Sequence, residues 1–142
     1  MKFRRKALIL MAGCFAGSLL AGVGVGYQLF SPHSSRNRAS AIRRTLEWGR
    51  LEPFPASARD LKIVTEGSMF TRSFRTSFVA PVADVERWLR QSPGTRDDAR
   101  ASTGTGFRRF QIQPGGGANH AELTVVPDND AEQRVSIYVS WS

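Results

Sequence analysis

Residues 7–30, ALILMAGCFAGSLLAGVGVGYQLF, run for 24 positions without a charged side chain. As a helix rising 1.5 Å per residue, the segment spans roughly 36 Å, against a bilayer hydrocarbon core of about 30 Å. It is long enough to cross a membrane, and that decides which compartment the rest of the chain meets. Lys2, Arg4, Arg5 and Lys6 precede it. Basic residues are held on the cytoplasmic side, and a basic tail leading into an apolar run is how export signals begin. Arg36, Arg38, Arg43 and Arg44 follow closely and blunt the asymmetry. The expected topology remains a single pass with the N-terminus cytoplasmic and the C-terminal domain extracytoplasmic.

Three fates compete for this segment. A cleaved signal peptide has an apolar region of about 7–15 residues before small residues at the cutting site; this run is longer, although Gly24 and Gly26 supply small residues. A lipoprotein site at Cys14, preceded by Met11, Ala12 and Gly13, needs its apolar region before the cysteine. Only residues 7–11 lie there, and the chain stays apolar for 16 residues afterwards. An uncleaved anchor accounts for the whole stretch and is the reading adopted, with Cys14 as a small residue inside it. Gly13 and Gly17, then Gly22 and Gly26, stand four apart, the spacing that lets two membrane helices approach closely. They are candidates for helix packing and for a helix-mediated homo-oligomer.

The organisation read from the chain is a basic cytoplasmic tail (1–6), the anchor or signal-like helix (7–30), a polar linker (31–40) and an extracytoplasmic domain (41–142). A domain of about 100 residues supports one core. The net charge of +8 is half due to the four basic residues of the tail. No run interleaves dense basic residues with aromatics, so no nucleic-acid groove is expected. The single cysteine lies in the apolar segment, leaving a domain compatible with an oxidising compartment.

Within the domain, ASAIRRTLEWG reads as a short helix with Ile42, Leu46 and Thr45 on one face and Gly49 as its stop. LKIVTE is a strand with Leu61, Ile63 and Thr65 facing one way. The row Phe70, Phe74 and Phe78 fits a helix face or alternate positions of a strand. The intervening Ser, Thr and Arg, with the Gly67 turn, favour a core-facing strand. APVADVERWLRQSPG is the clearest helix: Pro81 in the first turn, an apolar stripe of Val82, Val85, Trp88 and Leu89, an i,i+4 pair of Glu86 with Arg90, and SPG to end it. After a polar loop, FRRFQIQ, AELTVV and RVSIYVSW form an antiparallel meander. Val135, Ile137, Val139 and Trp141 share its dry face. The fold class is α+β: an antiparallel sheet of about five strands with two helices packed on one side.

Catalytic constellations are sparse. His120 is the only domain histidine, and no nucleophile-elbow context surrounds any serine. One histidine without cysteine makes a poor zinc set. DNDAE opens like a calcium loop, but Gln133 stands where the glycine belongs and the distal glutamate is missing. PGGGANH and STGTG lack the lysine and following helix of a phosphate loop and read as flexible turns. No catalytic, cofactor-binding or metal residue is assigned, and no cofactor is expected. Arg72, Arg75, Arg108, Arg109 and Arg134 lie on expected strands and are candidates for contact with an anionic envelope ligand or a protein partner.

The order of FPASARDLKI, the Phe-rich strand, VERWL, a hairpin and the closing VSIYVSWS resembles small, uncharacterised bacterial exported or single-anchor proteins, over about residues 40–142. The resemblance implies the fold and address already argued, in a bacterial cell membrane, and brings no catalytic residues. The expected function is a membrane-anchored, non-enzymatic interaction domain contacting the bilayer through residues 7–30. A small envelope hydrolase and a soluble domain released by signal cleavage are the alternatives.

Overall fold

The computed structural model describes residues 35–97, 101–104 and 106–142. The segment 7–30, with Gly13, Cys14, Gly17, Gly22 and Gly26, lies outside the described residues. Among the described residues, no helix is long and apolar enough to cross a membrane. Arg38–Ser142 form one compact unit.

The elements run α1 (Ser35–Gly49), β1 (Arg59–Gly67), β2 (Arg72–Pro81), α2 (Val82–Gln91), α3 (Pro93–Arg96), β3 (Ala101–Gly104), β4 (Phe107–Ile112), β5 (His120–Pro127) and β6 (Glu132–Trp141). The strands make a single sheet in the order β1-β2-β6-β5-β4-β3, with every pairing antiparallel. The α+β class and the helices on one side of the sheet are therefore as expected. The sheet has six strands rather than five, because Ala101–Gly104 pairs with β4. That segment has no apolar alternation, and its extended form comes from pairing across a hairpin rather than from its own pattern.

The meander of β4, β5 and β6 holds, and its register builds the core. Phe74, Thr76 and Phe78 of β2 stand opposite Val139, Ile137 and Val135 of β6. These in turn face Ala121, Leu123 and Val125 of β5, and Phe110 and Ile112 of β4 complete the layer. All are buried. Side chains alternate across a strand, so this set lies on one face, under the helices. Phe78 is the centre: its ring meets Trp88 of α2 edge-on at 5.5 Å and Phe54 at 5.1 Å. Large apolar groups at full burial contribute about 1.5–3 kcal/mol each.

α2 covers the sheet with Val85, Trp88 and Leu89 buried, and Val82 is half-buried. Pro81 is its N-cap rather than a first-turn residue, and the Val82 N–H donates to the Ala131 carbonyl at 3.1 Å. The SPG stretch ends α2 but starts the single turn α3, with Pro93 at its first position. Expected as an intrahelical partner for Arg90, Glu86 instead binds Arg108 on β4, with one contact of 3.2 Å. A part-buried charge on the covered side of the sheet takes the carboxylate that a solvated neighbour would hold only weakly.

α1 starts at Ser35, inside the polar stretch read as linker. Its buried residues are Ala41, Thr45, Trp48 and Gly49, with Ile42 and Leu46 half-buried. Thr45 donates to the Ala41 carbonyl at 2.9 Å and shares a 3.2 Å hydrogen bond with Thr76, so the polar pair at the helix–sheet contact is satisfied internally. Gly49 is the last helical residue, and the left-handed position falls on Arg50, at φ +51°. Its carbonyl accepts from Gly94 N–H at 2.8 Å, and a Cβ at Gly94 would lie 2.1 Å from the Gly49 oxygen. Only glycine permits that approach of α3 to the end of α1.

Candidate functional site

Two of the expected core residues point elsewhere. Phe70 is 75% exposed, and beside it Met69 is 90% exposed. Both sit in the turn joining β1 to β2, because the strand begins only at Arg72. Trp141, expected on the dry face, is 44% exposed. It stands opposite Arg72 at the end of the sheet. Its parity is that of the core row, but it lies past the last buried residue of β6, Val139.

The turn that carries Met69 and Phe70 is built to hold them. The Ser68 N–H donates to the Thr71 carbonyl at 2.9 Å. The Ser68 and Thr71 hydroxyls lie 3.2 Å apart, and the Phe70 N–H donates to Ser68 Oγ at 3.2 Å. Gly67, at φ +146°, comes so close to the returning chain that a Cβ would lie 2.2 Å from the Thr71 oxygen. Ser and Gly here do what turn residues do, closing the loop with local side-chain bonds and an unhindered backbone. The result is a hydrogen-bonded tip from which two large apolar side chains project. Trp141 is fixed nearby: Asn119 donates to the Ser142 carbonyl at 3.0 Å and accepts from the Ser142 N–H at 2.8 Å. Exposed apolar groups gathered at one place mark interaction surfaces more than single scattered ones do.

The five candidate arginines do not form one basic patch. Arg75, Arg109 and Arg134 occupy the face of the sheet away from the helices, and each has an acidic partner: Glu66 at 3.5 Å, Glu122 at 3.4 Å and Asp128 at 2.8 Å. Arg108 is on the helix-covered side, bound to Glu86. Arg72 shares that side, at the base of the tip, and has no ion pair among the described residues. Arg75 also lies over the Tyr138 ring at 5.0 Å, and His120 meets the same ring at 5.6 Å. The arginines of the uncovered face are thus each paired with an acid, with Ser73, Ser77, Ser136 and Ser140 around Tyr138 and Val64 exposed opposite Arg75. Matched pairs on an exposed face leave little net field to attract an anion.

A cleft of about 590 Å³ opens beside His120, between Arg50, Asp97, Gln111 and Asn119. Arg50 and Asp97 face each other at 3.7 Å. The Asp97 carboxyl is held below the usual carboxylate range by the hydrogen bond from Arg96. His120 begins β5 and Asp128 follows its end, which separates them by roughly 27 Å at 3.4 Å per residue. The strand thus keeps His120 apart from Asp128. Among the described residues there is no cluster of three metal-ligating side chains, and the DNDAE stretch forms the solvated turn between β5 and β6. There the Ala131 N–H donates to Asn129 Oδ1 at 2.9 Å.

The PGGGANH loop is packed rather than free. The Gly115 N–H donates to the Trp48 carbonyl at 2.9 Å. A Cβ on Gly116 would lie 2.6 Å from Trp48 Cδ1, so the loop seals the end of α1. The hairpin tip was also hidden in the sequence, where the Phe row drew attention to periodicity. Its signal was two large apolar residues held between Gly67-Ser68 and Thr71. No family model, curated protein or solved structure matches the chain.

Proposed function

We propose that the chain is a single-pass membrane protein whose N-terminus is cytoplasmic and whose α+β domain is a non-enzymatic interaction module outside the cytoplasm, making contact through the β1–β2 tip. The observation that carries the contact is the pair Met69 and Phe70, held out by a turn whose own hydrogen bonds keep it ordered. Leaving two such side chains in water forgoes about 1.5–3 kcal/mol each that burial contributes, and a rigid turn maintains that exposure. The address rests on the 24 uncharged residues and the basic tail.

The test is fractionation of bacterial cells expressing the full chain, with intact-mass measurement and protease treatment of spheroplasts. The expected result is a membrane-retained species of full mass whose domain is digested from outside. A mature mass beginning after Gly26, or at a diacylated Cys14, refutes the anchor, and protection of the domain from external protease refutes the orientation.

A further inference from the structure

The tip has a chemistry that selects among partners. A stable protein interface buries about 800 Å² on each side, whereas a large aromatic side chain supplies about 150–250 Å². Met69, Phe70 and Trp141 together fall short of that area, and polar Glu66, Ser68, Thr71 and Ser73 surround them. An apolar contact this small, at the end of a hairpin, suits a medium that yields around it rather than a broad complementary surface. A weak apolar contact of this size becomes effective when the domain is already tethered beside its target. The apolar run 7–30 ends five residues before Ser35, a stretch that reaches at most about 18 Å.

From these observations we infer that the β1–β2 tip docks into the interfacial layer of an anionic bilayer, with Met69 and Phe70 among the acyl chains and Arg72 and Trp141 at headgroup level. Trp is favoured at that level, and a basic side chain there is drawn to anionic lipid. Backbone groups entering lipid must have partners. In this turn the N–H groups of Ser68 and Phe70 have them, in Thr71 and in the Ser68 hydroxyl, which leaves the Met69 backbone to the headgroup level.

The same placement accounts for an otherwise open sheet edge. β1 is the outermost strand on its side and runs nine residues, a length that invites pairing with other chains unless it is shielded. Arg38 donates to the Leu61 carbonyl at 2.7 Å, so the first turns of α1 reach this strand roughly 20 Å from its Gly67 end. In a domain resting on its β1 edge, Lys62 meets the headgroups while Asp60 and Glu66 on the same strand are held by Arg59 and Arg75, and headgroups then cover the unpaired backbone.

The inference rests on the anchored reading and is tested on the full chain. Cys14→Ala is combined with Met69→Cys or, on the far edge strand β3, with Ser102→Cys; an environment-sensitive fluorophore is attached, and the protein is reconstituted in phosphatidylcholine vesicles containing phosphatidylglycerol. Both positions are exposed, so labelling leaves the core intact. The expected result is blue-shifted emission at position 69, quenched by lipid-borne nitroxide and shielded from aqueous iodide, with the opposite pattern at position 102. Phe70→Asp should abolish the blue shift at position 69. If the chain floats with the vesicles while position 69 stays open to iodide, the docking is refuted and the anchor stands; a protein contact then becomes the assignment for the tip. If the chain does not float at all, both fall.

Discussion

Gly116→Ala and Gly117→Ala separate packing from backbone strain within one loop. Both glycines have positive φ, +60° and +81°. An L side chain in that region costs about 1–2 kcal/mol, partly offset by about 0.4–1 kcal/mol from the stiffer unfolded chain. The two variants therefore share a net backbone cost of about 1 kcal/mol. They differ in what the new methyl meets. At Gly117 nothing lies within 4 Å, whereas at Gly116 the Cβ falls 2.6 Å from Trp48 Cδ1 and 3.0 Å from its Nε1. Trp48 is buried and its ring packs on Phe74 at 5.3 Å, so it has no free direction to yield. Forcing extra volume against such a side chain adds about 1–3 kcal/mol. In a domain of this size each kcal/mol moves the melting midpoint by roughly 4–8 °C. Thermal and urea unfolding of the full chain in mild detergent, followed by tryptophan fluorescence, should place Gly116→Ala well below Gly117→Ala. Equal midpoints would sink the claim that this loop is docked on Trp48, and would restore the reading of PGGG as a free turn.

The two core tryptophans predict unequal losses. Trp88 donates from Nε1 to the Glu52 carbonyl at 2.9 Å, while Trp48 Nε1 has no hydrogen-bond partner among the described residues. Trp88→Phe should therefore cost about 1 kcal/mol more than Trp48→Phe, the net worth of one hydrogen bond; equal denaturation midpoints would contradict this. Acid should loosen the tie between β1 and β6. The hydrogen bond from Arg59, with a second from Asn129, holds the Glu132 carboxyl below the usual glutamate range. A lowered folded pKa contributes stability in full above the unfolded value, and that stability is lost as pH falls through the folded one. The midpoint difference between wild type and Glu132→Gln should thus be largest near neutral pH and close on the acid limb, and parallel curves down to low pH would remove Glu132 as its source.

What the sequence made legible follows from which interactions are local. β6 could be read because its alternation, Val135, Ile137 and Val139 inward, is enforced by the core on one face and water on the other. α2 could be read because its stripe is wide and its ends carry proline. β3 could not, since ASTG has no pattern of its own and is extended only by its neighbour. The partner of Glu86 was also hidden: Arg90 is near in sequence, but Arg108 arrives through the sheet register, with Thr103 opposite it on β3 and Val125 on β5.

The tip shows the same limit from the other side. Phe70, Phe74 and Phe78 are evenly spaced in sequence, and periodicity treats them alike. The chain does not, because Gly67 and the Ser68 to Thr71 bonds end one strand and begin the next between the first Phe and the second. The spacing still fixes Phe74 and Phe78 on one face, where burial stabilises them. Phe70 is left on the turn, and with Met69 it is the most exposed apolar surface among the described residues, ahead of Val64 and Phe107. Trp141 joins it for the related reason that β6 runs past the end of its core row. Residues that break the pattern at one end of one sheet are where an interaction outside the domain has to be sought.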